Sequence, residues 1–430
     1  MISATAEPQE IRTVHSEIIR RALPSLLVVQ AVLGLLYLFL VPLWMPSDER
    51  AHMRYIMDLA ATGHLHVMQI GDASYETHQP PLFYVLAVLP YLLVKSLPLS
   101  TAGYVLRAFC FVFQMLSTVL VADIFRRHLS SRPILALASL VFFALNPSLL
   151  AINATISNDA LSFFLTILAA WILSRNDFQI ISARQSIALG IAVALGLACK
   201  LTVFPVLLIA LFYLLRPGSK ISASQKTAFA ICLIVPSVAL LAPWLLWNHS
   251  IYGTWTAVSR LYGAGAAYAQ HPTPVRNLSG FNFSSLFSYH FLPAEFWLNQ
   301  LKTPLWLKLV LFASSALSIA GLILPRAKPA GGALPYQNLF RFCVFFYLFH
   351  LLVVLAIDVL FSVGPVRWAF GCFFAFAFLW CDGIDLLARR WFQERLKYAV
   401  LGITLFLCVG INLYLLIAQV PHLNGFGLHP

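Results

Sequence analysis

The chain has 430 residues, of which 60% are hydrophobic and 10% are charged, and its formal net charge is +12. A mean hydropathy of +0.83 and apolar runs of about twenty residues exclude a soluble globular protein. The basic excess lies in short segments between these runs, which indicates membrane topology and argues against a nucleic-acid partner. Because the runs lack the alternation of membrane β-strands, the sequence predicts an all-α helical bundle in the lipid bilayer.

Twelve apolar runs follow one another along the chain. They lie at about residues 24–45, 81–97, 104–125, 133–152, 160–174, 185–200, 203–216, 227–247, 305–325, 341–361, 365–382 and 398–418. The positive-inside rule places the basic patches between them in the cytoplasm. All patches fall inside only if the second run, which is short and broken by Pro90, does not cross. The sequence therefore predicts about eleven transmembrane helices, with the N-terminus inside and the C-terminus outside.

This topology predicts one integral membrane domain over residues 1–430. Residues 1–23 form a cytoplasmic tail that leads into a retained first helix. Residues 46–103 form a first extracytoplasmic loop in which we expect interfacial helices, because the second apolar run lies there without crossing. Residues 248–304 form a long extracytoplasmic loop that is too polar to span the membrane and too short for a separate domain.

The seven cysteines all lie in apolar runs, at positions 110, 199, 232, 343, 372, 381 and 408. Soluble loops hold none of them, so neither a disulfide framework nor a cysteine metal cluster is expected. They are expected to be small apolar residues of the core.

A dense group of charges follows the first apolar run, in the sequence PSDERAHMRY. Asp48, His52 and Tyr55 stand at i, i+4 and i+7, so they share one face if residues 47–60 are helical, with Ser47 as the cap. A solvated amphipathic turn explains this spacing. Asp48 and Glu49 also form a carboxylate pair at the membrane interface. Such a pair suits general-base catalysis or metal coordination.

Further charges lie at the predicted outer ends of apolar runs. Asp159 stands between two of them, where an acid is costly unless it faces water or a partner, although a helix cap also explains it. The cations Arg107, Lys200 and Arg367 would suit a phosphate-bearing ligand if they converge. Each of them alone is equally well explained by a side chain that reaches the interface.

Single polar residues of the two outer loops are weaker candidates. His78 and Gln79 precede two prolines, which favour an extended entry into the next segment, and His78 as a metal ligand is the less favoured interpretation. In the long loop we note four polar residues that could touch an acceptor but are more simply explained as solvated. They are Arg260, His271, His290 and Glu295.

Together these residues resemble the GT-C membrane glycosyltransferases, in particular the protein O-mannosyltransferases and the lipid A aminoarabinose transferase. The resemblance rests on the order and spacing of short motifs over about residues 24–260, with a fainter trace to 370. The motifs are PSDERAHMRY, HQPPLFYVL, the helix opened by Arg107, NPSLLAINATISNDAL, LGLACKLT, WNHSIYGT and, less closely, GPVRWAF. The resemblance implies a helical bundle with an extracytoplasmic active site and a donor sugar carried on a polyprenyl phosphate.

The resemblance also implies a role for each candidate residue. Asp48 would be the general base, Glu49 would assist through the acceptor or by orienting Asp48, and Asp159 would be a second acid. Lys200, Arg367 and Arg107 would hold the lipid phosphate. His52, Tyr55, His78 and Gln79 would contact substrate. Because members of the family differ in metal dependence, a divalent ion between Asp48 and Asp159 stays open, and no other cofactor is expected.

The resemblance therefore implies an inverting glycosyltransferase in the bilayer, and by the same family analogy the membrane is a bacterial inner membrane. The enzyme would move a sugar from a polyprenyl-phosphate donor to an extracytoplasmic glycan, lipid or protein. A lipid or glycan transporter or flippase is an alternative, which would favour symmetric halves with ionisable groups near the midplane. A glycan polymerase or ligase that uses a polyprenyl-diphosphate donor is the other.

Overall fold

A computed structural model of the protein describes residues 9–46, 48–68, 74–216, 221–256, 290–293, 303–324, 334–361, 371–392 and 398–423. Within these ranges the regular secondary structure is entirely helical, which confirms the predicted all-α class. The α-helices are α1 (Gln9–Leu40), α2 (Glu49–Thr62), α3 (Leu82–Val94), α4 (Leu99–His128), α5 (Pro133–Ala144), α6 (Pro147–Asn153), α7 (Asn158–Ser174), α8 (Ala183–Cys199), α9 (Phe204–Leu215), α10 (Ala223–Tyr252), α11 (Leu305–Ile323), α12 (Leu334–Phe361), α13 (Phe373–Phe392) and α14 (Ala399–Tyr414).

Six segments of the described chain are helical, long and apolar enough to cross a membrane. They are Glu17–Leu40, Leu99–His128, Ala223–Tyr252, Leu305–Ile323, Leu334–Val353 and Ala399–His422. The bent pair α5 and α6 would make a seventh, and α3, α7, α8 and the segment Leu201–Leu215 are shorter apolar helices. The protein is therefore an integral, multi-pass membrane protein. The count of eleven crossings stays a prediction.

The predicted run at 133–152 is divided by a bend. Asn146 is extended and its Oδ1 accepts the backbone N–H groups of Ser148 and Leu149, at 3.0 and 3.2 Å, so that it caps a new helix. Pro147 occupies the first position of α6. A backbone N–H at this position has no partner within the helix, so the lack of an N–H in proline costs no helical hydrogen bond. The two helices meet at 42°, and α6 packs against α1 and α4.

Glycines permit the closest helix pairs. A Cβ on Gly190 of α8 would lie 2.5 Å from the backbone oxygen of Cys232 in α10. A Cβ on Gly321 of α11 would collide with the backbone of Gly383 in α13. Small residues allow this backbone approach, which favours helix association in a bilayer by van der Waals packing.

The charges of α13 are paired inside the bundle. Asp382 and Asp385 are buried, and Arg132 Nη1 lies 3.3 and 3.7 Å from their carboxylates. Tyr336 Oη donates to Asp382 at 2.7 Å, and Arg389 donates to Asp385 at 2.8 Å. These partners explain how a helix with several charged residues can lie among apolar ones.

Part of the predicted long outer loop is buried in the bundle. Residues 290–293 lie among the helices, and Phe291 packs edge-on against Phe142 of α5. The carbonyl oxygen of His290 accepts a hydrogen bond from Asn146 Nδ2 at 2.8 Å. Burial stabilises the apolar side chains, and a backbone polar group has a hydrogen-bond partner. This short stretch therefore lies in the core although it belongs to a loop that was predicted to be polar.

The predicted first outer loop contains two helices, α2 and α3, which pack against each other and against neighbouring helices of the bundle. Tyr55, Phe83 and Tyr84 join them to Leu106 of α4 in one apolar cluster. The opposite side of α3 is open, since Leu93 is 85% exposed. The loop is thus helical as predicted, and the bounds of α2 agree closely with the predicted helix at 47–60.

Candidate active site

Asp48 stands directly before α2 in a left-handed backbone conformation, with φ 64° and ψ −5°. Few residues other than glycine adopt this conformation, although aspartate tolerates it better than most. Its side chain does not cap the helix. Instead, Asp48 Oδ1 accepts a hydrogen bond from Tyr75 Oη at 2.6 Å. Asp48 itself is the residue that precedes the helix, and the predicted cap, Ser47, lies outside the described residues.

Glu49 is fully buried and its carboxylate is surrounded by donors. Arg107 Nε and Nη2 both donate to it at 2.7 Å, which makes a bidentate ion pair. The backbone N–H groups of Trp44 and Ile156 donate to the same carboxylate at 2.8 and 3.1 Å. Glu49 therefore ties the start of α2 to α4 and to the turn before α7, and the orienting role expected for it fits this geometry.

Arg107 uses all five of its N–H groups within the protein. Beyond the two bonds to Glu49, Nη1 donates to the carbonyl oxygens of Leu38 and Val41 at 2.9 and 2.7 Å. Nη2 donates to the carbonyl oxygen of Pro42 at 3.0 Å. A guanidinium has five donors, so none remains for a lipid phosphate. The geometry corrects the predicted role: Arg107 holds the end of α1 and Glu49 in place.

Asp159 and Lys200, predicted separately, form a buried ion pair between Lys200 Nζ and Asp159 Oδ1. Ser157 caps α7 and its hydroxyl donates to Asp159 Oδ2 at 3.0 Å. Lys200 follows the last residue of α8 in an extended conformation, with φ −158°. The ends of two helices thus place a carboxylate and an ammonium together. One of the three N–H groups of Lys200 is used in this pair.

His52 is a buried residue of α2. Its Nδ1 lies 2.9 Å from Tyr84 Oη and 3.9 Å from Glu76 Oε2. Burial lowers the pKa of the His52 imidazole below its usual value, which favours the neutral ring. Charged neighbours act on the same pKa: Glu76, Asp48 and Asp159 raise it and Lys200 lowers it. The two acids and the cation that the sequence indicated therefore all act on the charge of one histidine.

Tyr55 belongs to the packed layer under the site. It is 1% exposed, and its ring lies 3.9 Å from that of Tyr84, measured between centroids. Burial raises the pKa of the Tyr55 phenol, so that it stays protonated at neutral pH. Its observed contacts position α2 against α3.

His78 and Gln79 order the turn before α3. His78 Nδ1 donates to the carbonyl oxygen of Tyr75 at 2.7 Å, and Gln79 Nε2 donates to His78 Nε2 at 2.9 Å. Both ring nitrogens are thus engaged within the loop, which argues against His78 as a metal ligand. The turn carries Tyr75, the residue that contacts Asp48.

Glu76, Tyr75 and Tyr84 are site residues that sequence reasoning missed. Glu76 is 4% exposed and lies beside His52. Glu76 lies two positions before His78, in a segment that the sequence analysis already considered. Only the fold shows that Glu76 lies against α2. Four predicted residues lie outside the described chain. They are Arg367, Arg260, His271 and Glu295.

The described residues do not fit a divalent ion between Asp48 and Asp159. Asp159 already has the Lys200 ammonium as its partner, and a second positive charge there would be repelled. Among the described residues, no group of three His, Cys, Asp or Glu side chains has a metal-binding arrangement.

Residues 78–247, somewhat less than half of the chain, match a family model described as dolichyl-phosphate-mannose-protein mannosyltransferase. No curated protein matches the chain.

Among solved structures, the archaeal oligosaccharyltransferase AglB from Archaeoglobus fulgidus, in complex with an inhibitory peptide and a dolichol-phosphate, is similar with a TM-score of 0.57 at 11% identity. The match covers 94% of this chain and 56% of that one. The apo form of the Archaeoglobus fulgidus oligosaccharyltransferase also gives 0.57, at 12% identity, with 94% and 57% covered. ArnT from Cupriavidus metallidurans bound to undecaprenyl phosphate gives 0.49 at 14% identity, with 92% and 77% covered. The chain thus spans little more than half the length of the oligosaccharyltransferase, whose fold it shares.

Proposed function

We propose that this chain, whose fold is that of the GT-C membrane glycosyltransferases, transfers a sugar from a polyprenyl-phosphate donor to an acceptor outside the cytoplasm. One observation carries the proposal: Asp48 at the start of α2, and the buried ion pair of Asp159 and Lys200 at the ends of α7 and α8, all act electrostatically on His52. The match of residues 78–247 to a family described by a polyprenyl-phosphate sugar donor supports it. By analogy with the family, we place the protein in a bacterial inner membrane with this site on the periplasmic side.

In this proposal Asp48 is the general base. Its carboxylate takes the proton of the acceptor O–H group as the acceptor oxygen forms a bond to the anomeric carbon of the donor. Attack opposite the departing phosphate inverts the configuration of that carbon. A general base of this kind contributes about 10²–10⁴-fold to a rate. The bond from Tyr75 Oη to Oδ1 orients the carboxylate.

Lys200 stabilises the leaving group. The bond between the anomeric carbon and the phosphate oxygen breaks, and its electron pair stays on the phosphate, which gains negative charge. An ammonium placed at this charge can contribute about 2–4 kcal/mol, by analogy with a single oxyanion donor. Asp159 holds the Lys200 side chain where its two other N–H groups can reach the phosphate.

The buried pair of Glu49 and Arg107 supplies the rigid frame. It fixes the first residue of α2 to α4, directly beside Asp48. A base must be held close to its productive geometry, and here a bidentate pair does so through the adjacent peptide.

Donor turnover tests the proposal. The purified chain is incubated with polyprenyl-phosphate sugars and crude envelope acceptor, and release of polyprenyl phosphate is measured. We expect Asp48→Asn to reduce turnover a hundredfold or more, as for the loss of a general base. The matched control is Asp58→Asn, a partly exposed acid of the same helix that accepts a hydrogen bond from Ser74 at 2.7 Å. Equal turnover by wild type and Asp48→Asn would remove Asp48 from the mechanism.

Polyprenyl-diphosphate glycans belong in the same donor panel. Their consumption in place of single-sugar donors would favour the polymerase or ligase alternative. Movement of a labelled lipid across a vesicle membrane without release of polyprenyl phosphate would favour a transporter.

A further inference from the structure

Two buried polar side chains in the outer part of α10 make no hydrogen bond within the described chain. They are Trp244, through Nε1, and Asn248, through both Oδ1 and Nδ2. Trp244 is 4% exposed and Asn248 is fully buried. Buried polar groups are nearly always paired, so two adjacent ones without partners call for an explanation. An unpaired buried amide destabilises the free protein.

The face of α10 that carries them leads to Asp48. Trp244, Asn248 and Tyr252 stand four residues apart and are all buried, so they form one stripe along the helix. Tyr252 Oη accepts the backbone N–H of Met68, in the first outer loop, at 2.9 Å. Tyr252 also packs in one apolar cluster with Tyr75, whose hydroxyl donates to Asp48. The outer end of the stripe therefore adjoins the proposed base.

The inner end of the stripe lies near the level of Lys200. Helices α8 and α10 run in the same direction, because α9 returns the chain between them, and they touch where Gly190 meets Leu233. Both helices rise about 1.5 Å per residue. Lys200 lies ten residues after Gly190, so it is level with the residue ten positions after Leu233, which directly precedes Trp244. The two unpaired side chains thus stand between the level of the ammonium and the contact that leads to Asp48.

A donor molecule would place its sugar in that interval, since its phosphate belongs at Lys200 and its anomeric carbon faces the acceptor near Asp48. Trp244 offers one N–H donor, and Asn248 offers an amide donor and a carbonyl acceptor one turn further on. Neighbouring hydroxyl groups of a sugar both donate and accept. We infer that Trp244 and Asn248 bind hydroxyl groups of the donor sugar and so distinguish the sugar-bearing lipid from the bare lipid phosphate. This inference rests on the proposed function.

Equilibrium binding of three probes tests it. The full chain in lipid nanodiscs is titrated with undecaprenyl-phosphate mannose, undecaprenyl-phosphate arabinose and undecaprenyl phosphate. Asn248→Leu keeps the size of the side chain and removes both polar groups. We expect it to lower the affinity for the preferred sugar-bearing lipid about ten- to a hundredfold, as for two lost hydrogen bonds, and to change the affinity for undecaprenyl phosphate by less than about twofold. Trp244→Phe should cause a smaller loss with the same selectivity.

Controls separate the possible failures. Ser237→Ala changes the same face of α10 nearer its other end and should leave all three affinities unchanged. The thermal midpoint of Asn248→Leu without ligand should equal or exceed that of wild type, because an unpaired buried amide is removed. Equal losses for all three lipids, or a loss for none, would overturn the inference while leaving phosphate binding in place. If wild type binds no lipid of the panel, the proposed function fails and the inference falls with it.

Discussion

At the scale of single residues, the ion pair of Glu49 and Arg107 fixes the start of α2, and so the position of the site, against α4. The sequence suggested a phosphate ligand for Arg107, because a cation in an apolar helix at the outer surface suits an anionic group. Its partner Glu49 is 58 residues away in the chain, and the five acceptor atoms around it all belong to residues between Leu38 and Glu49. Local spacing does not reveal such partners. Spacing did indicate that His52 and Tyr55 share one face of a helix, and Asp48 is the residue directly before that helix.

Removal of one partner of this pair should destabilise the protein rather than remove a ligand. Arg107→Gln leaves the fully buried Glu49 carboxylate without its cation, and we expect a loss of about 3–5 kcal/mol in the free energy of unfolding. Denaturant titration in detergent measures it. The double variant Glu49→Gln/Arg107→Gln should recover part of the loss, because no unpaired charge remains.

The control for that prediction is Arg20→Gln, which breaks an exposed ion pair with Glu17 on α1. It should change the free energy of unfolding by less than about 1 kcal/mol. An Arg107→Gln protein that is as stable as wild type but binds lipid phosphate poorly would return Arg107 to the role expected from the sequence.

At the scale of helices, the site depends on how closely α8 and α10 approach. α8 ends beside Lys200, and α10 carries Asn248, so the separation of these helices sets the distance across the site. Gly190 allows it, since a Cβ there would meet backbone rather than a movable side chain. The sequence showed apolar runs that correspond to both helices. It did not show their contact, because a glycine in a helix has the same local appearance whether or not a backbone faces it.

Gly190→Val should push the two helices apart. We expect a loss of about 1–3 kcal/mol in stability, as for overpacking in a filled core, together with a lower rate of donor turnover. Thermal unfolding and the turnover assay measure the two effects. Gly402→Val in α14 is the matched control, because a Cβ there has no neighbour within 4 Å. Equal effects of both substitutions would assign the loss to helix propensity instead of packing.

At the scale of the whole molecule, charge and hydropathy predicted the class of fold well. The apolar runs coincide with helices wherever the structure describes them, because the bilayer requires each run to satisfy its own backbone hydrogen bonds. The division of the run at 133–152 and the burial of residues 290–293 were not foreseen. The division is set locally, by the cap of Asn146 and by Pro147. The burial of residues 290–293 arises from contacts between segments that are distant in sequence, such as the bond from Asn146 to His290.

Cysteine labelling checks the predicted orientation. The described native cysteines are buried or half-buried. The labelling of a single added surface cysteine can therefore be distinguished from labelling of the native ones. With a membrane-impermeant maleimide on intact cells, Lys95→Cys should react and Arg184→Cys should react only after permeabilisation. Both parent side chains are exposed. The opposite pattern at Lys95 would mean that α3 crosses the bilayer and would change the number of crossings.

The buried segment at 290–293 also bears on the order in which the protein assembles. Phe291 packs against Phe142 and against Trp380, which the ribosome delivers more than two hundred residues apart. At ordinary rates of synthesis, the second of these aromatic rings emerges about 10–50 s after the first. During that interval the inner surface of α5 lacks the aromatic partners that cover it in the finished bundle. The helices of the first half are therefore synthesised well before the centre of the bundle can close.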